Sequence, residues 1–396
     1  MRGARPAPSG LRGVAGRPST LASVRFRLLV PASLAALALA VPALAAAPQV
    51  TASAWLVQNG ATGEVLAHHN ERAALPIASI TKLMTVLVAL RHADLEDVVT
   101  VSAGAVGVPG SSIGLRAGER VTVDDLVEAA LVQSANDAAT ALGLHVGRGS
   151  MPRFAALMNA EARALGLRET HFVRADGLDT PGHVSSARDV TALGRAAMQR
   201  PEVREIVRRR TGVAAGRRVS TWNDLLSTYP GLIGVKTGHT SLAGWSQVAA
   251  ARGPGVTIYA TILGSPSRDV RNADLAELLS YGLSRYRVAR VVRRQHVYAR
   301  VRLPYGRRPV ALVATRPLVR VVRVDRPLVE RVRAPEVVGL PVRRGQRLGE
   351  VRVYAGRTLL GSRPLFAARS EGEPTTAARA RWYARRTIGE AWGLLP

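Results

Sequence analysis

An α+β domain followed by a small all-β domain is predicted from three observations. Extended segments stand at both ends of residues 46–288, with helical periodicity between them. The last extended runs of that region follow one another directly, two of them across a short Gly/Pro turn. After Arg290 the helical pattern gives way to alternating Val and Arg, punctuated by Pro304, Pro309, Pro317, Pro327, Pro335 and Pro341.

The elements follow in order. Trp55-Leu56-Val57 and Glu64-Val65-Leu66 flank Asn59-Gly60-Ala61-Thr62-Gly63, a hairpin turn of permissive residues. Pro76 precedes a long helix in which Ile80, Leu83, Met84, Leu87 and Leu90 recur at spacings of three and four. A second helix runs from about Val123 to Leu131, with Asp124 and Asp125 at its positive end. A third follows Asn136, and a fourth covers Arg153 to Leu165. Ala175 to His183 is a loop, after which Ser186 and Asp189 open a helix as a capping box. Leu232 to Thr237, Trp245 to Ala251 and Val256 to Leu263 read as successive strands forming one mostly antiparallel sheet, the last two joined by Arg252-Gly253-Pro254-Gly255. A helix from about Asn272 to Arg285 closes the domain. In residues 289–370, Glu350 to Tyr354 and Thr358 to Leu360 form a hairpin about Ala355-Gly356-Arg357. Residues 374–396 turn helical again, with Ala377, Ala380, Ala384, Ile388, Ala391 and Leu395 on one face and Trp382, Tyr383 and Trp392 adding bulk. Such a basic helix suits an anionic membrane interface; a terminal helix docked on its own protein, or frayed, is the competing expectation.

Composition narrows the chemistry. The 396 residues carry a formal charge of +27, which suits an anionic membrane or wall polymer, or reflects no more than a general preference for arginine. Nucleic acid is disfavoured: aromatics are 4%, and no basic aromatic strand, zinc spacing or phosphate loop is present. The absence of cysteine excludes disulfides, thiol catalysis and thiolate metal sites. The eight histidines form no His-Glu-x-x-His pattern, His68-His69 is expected in solvent, and no metal or cofactor is expected. Arg25 and Arg27 precede an apolar run from Leu28 to Leu44 ending in Ala43-Leu44-Ala45, so residues 1–45 read as an export signal. An uncleaved anchor is the alternative; either way the body is exported, to the periplasm or cell wall at the outer face of the plasma membrane.

Of the 55 basic residues only Lys82 and Lys236 are lysine. Arginine cannot give up its proton in a protein, whereas a buried lysine can, so these two positions invite a chemical reason. Ser79 and Lys82, at i and i+3, share a helix face one turn apart. A serine hydroxyl is a weak nucleophile until a base takes its proton. Lys82 can be that base if burial and a second cation, Lys236, lower its pKa. Ser134-Ala135-Asn136 adds a hydroxyl that could relay a proton or merely cap a helix, and a carboxamide that could grip a substrate amide or hold Lys82. Lys236-Thr237-Gly238 ends an extended run where Gly238 leaves room for a ligand backbone, and Lys236 and Thr237 can meet a carboxylate. The backbone N–H of His239 could pair with that of Ser79 as an oxyanion hole.

These motifs, in this order, resemble those of the low-molecular-mass penicillin-binding proteins of the serine D-Ala-D-Ala carboxypeptidase type. The similarity extends to Gly110-Ser111-Ser112, Gly118-Glu119-Arg120-Val121, Asp137-Ala138, the loop Asp176-Gly177-Leu178-Asp179 through His183, Ser185, Ser186 and Asp189, and Gly234-Val235 through Thr240. The segment Gly349 to Arg363 resembles the family's second domain, and residues 374–396 its membrane anchor. The resemblance implies a DD-peptidase/β-lactamase-like domain over 46–288, with Ser79 forming an acyl ester, Lys82 accepting its proton and Ser134 assisting. It further implies that Asn136 orients substrate, that Lys236 and Thr237 bind a terminal carboxylate, and that His239 donates its N–H. Arg271 is the candidate arginine beside that carboxylate, and Asp189 is left as a capping residue. Ala135 stands where the related motif has Asp. The implied substrates are peptidoglycan stem peptides ending in D-Ala-D-Ala, with β-lactams as inhibitors. A β-lactamase is disfavoured because Ala175 to Asp189 contains no Glu. A DD-endopeptidase shares all of this chemistry, and a non-catalytic wall-binding protein would retain only the scaffold.

Overall fold

The two ends of the first region meet in one sheet. In the computed structural model, which describes residues 48–392, β1 (Ala54–Asn59) and β2 (Val65–His69) form the first hairpin. Its turn is fixed by Asn59 Oδ1, which accepts the N–H groups of Ala61 and Thr62 at 2.9 and 3.0 Å. β3 (Leu232–Thr240), β4 (Gly244–Gly253) and β5 (Val256–Ser265) complete the sheet in the order β2-β1-β5-β4-β3, with every pairing antiparallel. β3 is an edge strand, and it runs on to Thr240 rather than stopping at Thr237.

Alternation along the strands sorts side chains onto two cores. Leu56, Val248, Ala250 and Leu263 face a large helical cluster, while Trp55, Val57, Ala249, Ala251 and Ile262 face the closing helix. The helical side comprises α1 (Lys82–His92), α2 (Val123–Glu128), α3 (Asn136–Val146), α4 (Met151–Ala164) and α5 (Ala187–Ala197). The other face is covered by α6 (Arg268–Ser284), whose Leu275, Leu278 and Leu279 are fully buried, each contributing roughly 1.5–3 kcal/mol relative to exposure. α6 starts a turn earlier than its apolar pattern suggests because Ser267 Oγ accepts the N–H of Val270 as an N-cap. α2 is shorter than expected: after Glu128 the chain widens into a π turn, Ala129–Gln133. At α5, Ser186 caps by accepting Asp189 N–H, but the Asp189 carboxylate does not reciprocate. It accepts instead from Glu169 N–H and Thr170 Oγ1 at 2.8 and 2.7 Å, tying down the preceding loop, so the capping role expected for Asp189 is only half present.

The Val/Arg-rich region forms a second group of strands. β6 (Tyr286–Val292) pairs with β9 (Leu318–Arg323). β7 (Val297–Val301), β8 (Val310–Ala314), β10 (Leu328–Arg333), β11 (Arg347–Ala355) and β12 (Thr358–Ala367) form a sheet ordered β7-β8-β12-β11-β10. Val292, Leu312, Leu318, Val351, Val353 and Leu365 are buried in a core of their own. β6 begins at Tyr286, directly after the Arg285 that follows α6, so it crosses the expected boundary at 288/289.

The tail forms α7 (Thr376–Trp392). Trp382 meets Tyr305 edge-on at 5.6 Å and Arg379 stacks over Tyr305, while Ala377, Ala380 and Ala384 remain exposed. Among the described residues, no helix is long and apolar enough to cross a membrane. The export signal expected in 1–45 and Leu395 on the tail's apolar face lie outside the described residues.

Candidate active site

Ser79 sits in a 3-10 turn, Ala78–Thr81, that leads directly into α1. Ala78 is held at φ +48°, a left-handed conformation uncommon for a residue with a side chain. Two glycines make room for this turn. A Cβ on Gly177 would lie 2.1 Å from Ala78 O, and one on Gly238 would lie 2.7 Å from Ile77 O. Gly238 therefore admits the backbone of the serine turn, not primarily that of a ligand as its place in the sequence suggests.

Lys82 is fully buried, and its Nζ lies 2.7 Å from each of Ser79 Oγ, Asn136 Oδ1 and Asp176 O. Burial pushes its pKa down to about 7; the Asp176 carboxylate opposes this and Arg174 reinforces it. When Lys82 is neutral, its two N–H bonds satisfy Asn136 and Asp176. Its lone pair then points at the Ser79 hydroxyl, the arrangement a proton acceptor needs.

The second serine is set by unusual backbone. The π turn ends at Ser134, which is left-handed at φ 62°, ψ 32°. Ser134 does not cap α3, whose N-cap is Ala135 without a side-chain bond. Its Oγ accepts instead from Lys236 Nζ at 2.8 Å. Asn136 holds Lys82 with its oxygen while its Nδ2 donates to Pro109 O at 2.6 Å.

Lys236 is buried, and its Nζ also donates to Thr237 O at 3.0 Å. Burial, the charge on Lys82 and the charge on Arg271 hold its pKa well below the usual lysine range. The charge on Lys82 thus depresses Lys236, whereas Lys236 does not figure among the causes acting on Lys82. Burial lowers Lys82 as expected, but the second cation acting on it is Arg174 rather than Lys236.

Ser79, Ser134, Asn136, Thr237, Gly238, His239 and Arg271 all line one cavity of about 240 Å³, with Trp222 and Trp245 on its walls. Arg271 is 1% exposed, lies 5.7 Å over the Trp245 ring, and is depressed by burial to about 10, so it stays charged at neutral pH. The His239 imidazole stacks on the same indole at 3.9 Å.

Several contributors carried no assigned role in the sequence. The Asp176 carbonyl holds Lys82, while its carboxylate is pinned by Arg174 Nε and Nη2 at 2.5 and 2.7 Å. His183, 3% exposed, accepts Val173 N–H at Nδ1 and so donates from Nε2 to Thr81 Oγ1 at 2.8 Å. The Asp-Gly step at 176–177 was a detectable turn signal; nothing local marks His183 as a support for the serine turn.

A serine whose hydroxyl is paired with a buried low-pKa lysine, facing a second serine–lysine pair on the edge of an antiparallel sheet, defines an acyl-transferring serine enzyme that uses lysine in place of histidine. A family model described as D-alanyl-D-alanine carboxypeptidase matches residues 42–267. The D-alanyl-D-alanine carboxypeptidase DacD of Salmonella typhimurium is 32% identical over 376 residues, 88% of this chain and 96% of the relative. Penicillin binding protein 6B from Escherichia coli superposes with a TM-score of 0.63 at 27% identity, covering 82% of this chain and 98% of that one. A mutant of Streptomyces K15 DD-transpeptidase gives 0.56 at 32% identity, covering 60% and 99%. The chain belongs to the D-alanyl-D-alanine carboxypeptidase family.

Proposed function

We propose that this enzyme removes the terminal D-alanine of peptidoglycan stem peptides through an acyl ester on Ser79. The observation that carries the reading is the 2.7 Å contact between Ser79 Oγ and a Lys82 Nζ whose pKa is near 7. Lys82 takes the Ser79 proton as Oγ bonds to the carbonyl carbon of the penultimate residue. The developing oxyanion is held by the backbone N–H groups of Ser79 and His239. The proton returns through Ser134 to the leaving nitrogen, the C–N bond breaks, and D-alanine departs. Water then attacks the ester, with Lys82 again taking the proton and Ser79 recovering its own. The terminal carboxylate meets Lys236, Thr237 and Arg271, and Asn136 both fixes Lys82 and faces the substrate. A β-lactam acylates Ser79 by the same route, which accounts for sensitivity to penicillin.

Residues 46–288 form the catalytic domain and 289–370 a separate β domain in this reading. The matched extent of the K15 transpeptidase, nearly all of that chain but 60% of this one, supports the division. The chain is exported and works at the wall on the outer face of the plasma membrane. Residues 374–396 touch anionic lipid there, a role supported by the exposed alanine face of α7.

The test is to incubate the chain with a peptide ending in D-Ala-D-Ala, follow released D-alanine, and map the adduct by mass. Ser79→Ala abolishes release and labelling by penicillin at unchanged melting temperature. An adduct on another residue overturns the mechanism; a penicillin adduct without D-alanine release points to endopeptidase action on crosslinks.

A further inference from the structure

Arg271 reaches the cavity from the first turn of α6, and what holds it there is a carboxamide. Asn272 Oδ1 accepts from Arg271 Nη2 at 2.6 Å and from Nε at 3.2 Å. Asn272 Nδ2 in turn donates to Asp224 Oδ2 at 2.8 Å, which fixes the amide so that its oxygen, not its nitrogen, faces the arginine. Asp224 is itself clamped by Arg268, with Nε and Nη2 at 2.8 and 2.5 Å, and touches Arg271 Nη2 at 3.4 Å. The Trp245 ring covers one face of the guanidinium. Among the described residues, Nη1 is left without a protein hydrogen bond, on a side chain that lines the cavity.

We propose that Asn272 and Asp224 are positioning residues that set this enzyme's selectivity for a free terminal carboxylate by locking Arg271 with one amino group open to the cavity. The inference rests on the assignment of the cavity as the D-Ala-D-Ala site. An arginine side chain has several rotatable bonds, so the turn of its guanidinium within the packed wall has to be set by specific partners. Asn272 occupies Nε–H and one N–H of Nη2, so the two N–H donors of Nη1 stay available to a ligand before it arrives. That preorganisation favours a carboxylate over a carboxamide: the former is an acceptor at both oxygens, while the latter brings N–H groups that Arg271 cannot accept. Asp224 acts one bond further away by choosing the orientation of the Asn272 amide.

The experiment measures kcat and KM for one peptide ending in D-Ala-D-Ala and for the same peptide ending in the carboxamide. Asn272→Ala and Asp224→Asn are each expected to raise KM for the acid about tenfold, the worth of one charge-assisted hydrogen bond, with kcat for the acid and both constants for the amide little changed. Arg271→Ala lowers the acid-to-amide ratio further, and adding Asn272→Ala to it produces no additional loss, because the two act through one contact. Parallel losses on acid and amide, or additive losses in the double variant, overturn the proposal and leave a structural role. If Arg271→Ala itself leaves the ratio untouched while Ser79 still acylates, the carboxylate site has been misassigned, a failure separable from that of the positioning residues.

Discussion

Lys236 Nζ donates to Ser134 Oγ at 2.8 Å, joining groups separated by 102 residues. The partners of this bond come from the sheet's edge strand and from a left-handed residue that ends a π turn. With Lys82 on Ser79, two serine–lysine pairs stand behind the cavity, the serines lining it, and burial lowers the pKa of both lysines. The pairs differ in exposure: Lys82 and Lys236 are both buried, whereas Ser79 keeps partial access to solvent. Both hydroxyls line the cavity, and the more exposed of the two, Ser79, is the one paired with a lysine whose pKa is near 7.

Acylation is expected to follow the ionisation of Lys82. Because the base must be neutral, the rate of labelling by penicillin rises tenfold per pH unit below about 7 and levels off above it. Lys82→Arg leaves a permanent cation beside Ser79 and should slow acylation by roughly 10²–10⁴, the usual worth of a general base. Labelling that is flat from pH 5 to 8, or undiminished in Lys82→Arg, would remove Lys82 from this role.

The two glycines that grip the serine turn should separate stability from activity. Gly177 has φ +83° and no space for a Cβ, so Gly177→Ala should cost about 1–3 kcal/mol of stability as well as activity. Gly238→Ala meets Ile77 O at 2.7 Å from an ordinary backbone conformation. It should displace Ser79 and slow acylation with a smaller fall in melting temperature. Thermal melts and penicillin labelling of both variants decide it; equal melting losses would contradict the distinction.

His183 should make the fold sensitive to acid. Burial lowers its pKa to about 4 from an ordinary 6.5, so the unfolded chain binds a proton that the folded one refuses. Its contribution is fully present above pH 6.5 and is lost as pH falls towards 4, on the order of 3 kcal/mol. His183→Gln keeps an acceptor and a donor but cannot titrate. Denaturant unfolding at pH 7 and pH 4.5 should show a smaller acid loss for the variant; equal losses would mean that other groups govern the acid response.

Much of the fold was legible because its elements carry local signals. The three-and-four spacing through Ile80, Leu83, Met84 and Leu87 marks a helix whatever surrounds it, and the turn at 252–255 fixes its hairpin. Helix ends were less legible. Ser267 begins α6 ahead of its apolar stripe, and the π turn after Glu128 leaves no trace in periodicity. The candidate site was legible as motifs but not as geometry. Gly238 reads as clearance for a ligand until the serine turn is seen against it.

The sequence alone determined which chemistry this chain can perform. Two lysines in a protein otherwise furnished with arginine, each inside a motif with a hydroxyl partner, mark a candidate proton acceptor and a candidate carboxylate site; the first needs lysine because arginine cannot lose its proton. Tertiary structure decided how burial brings Lys82 to about 7, which carbonyl holds it, and which residues aim Arg271. Those choices depend on desolvation and on contacts such as Lys82 with Asp176, 94 residues away, or Arg271 with Asp224, 47 away. No local pattern encodes such contacts, because the partners lie far apart along the chain and meet only in the folded protein.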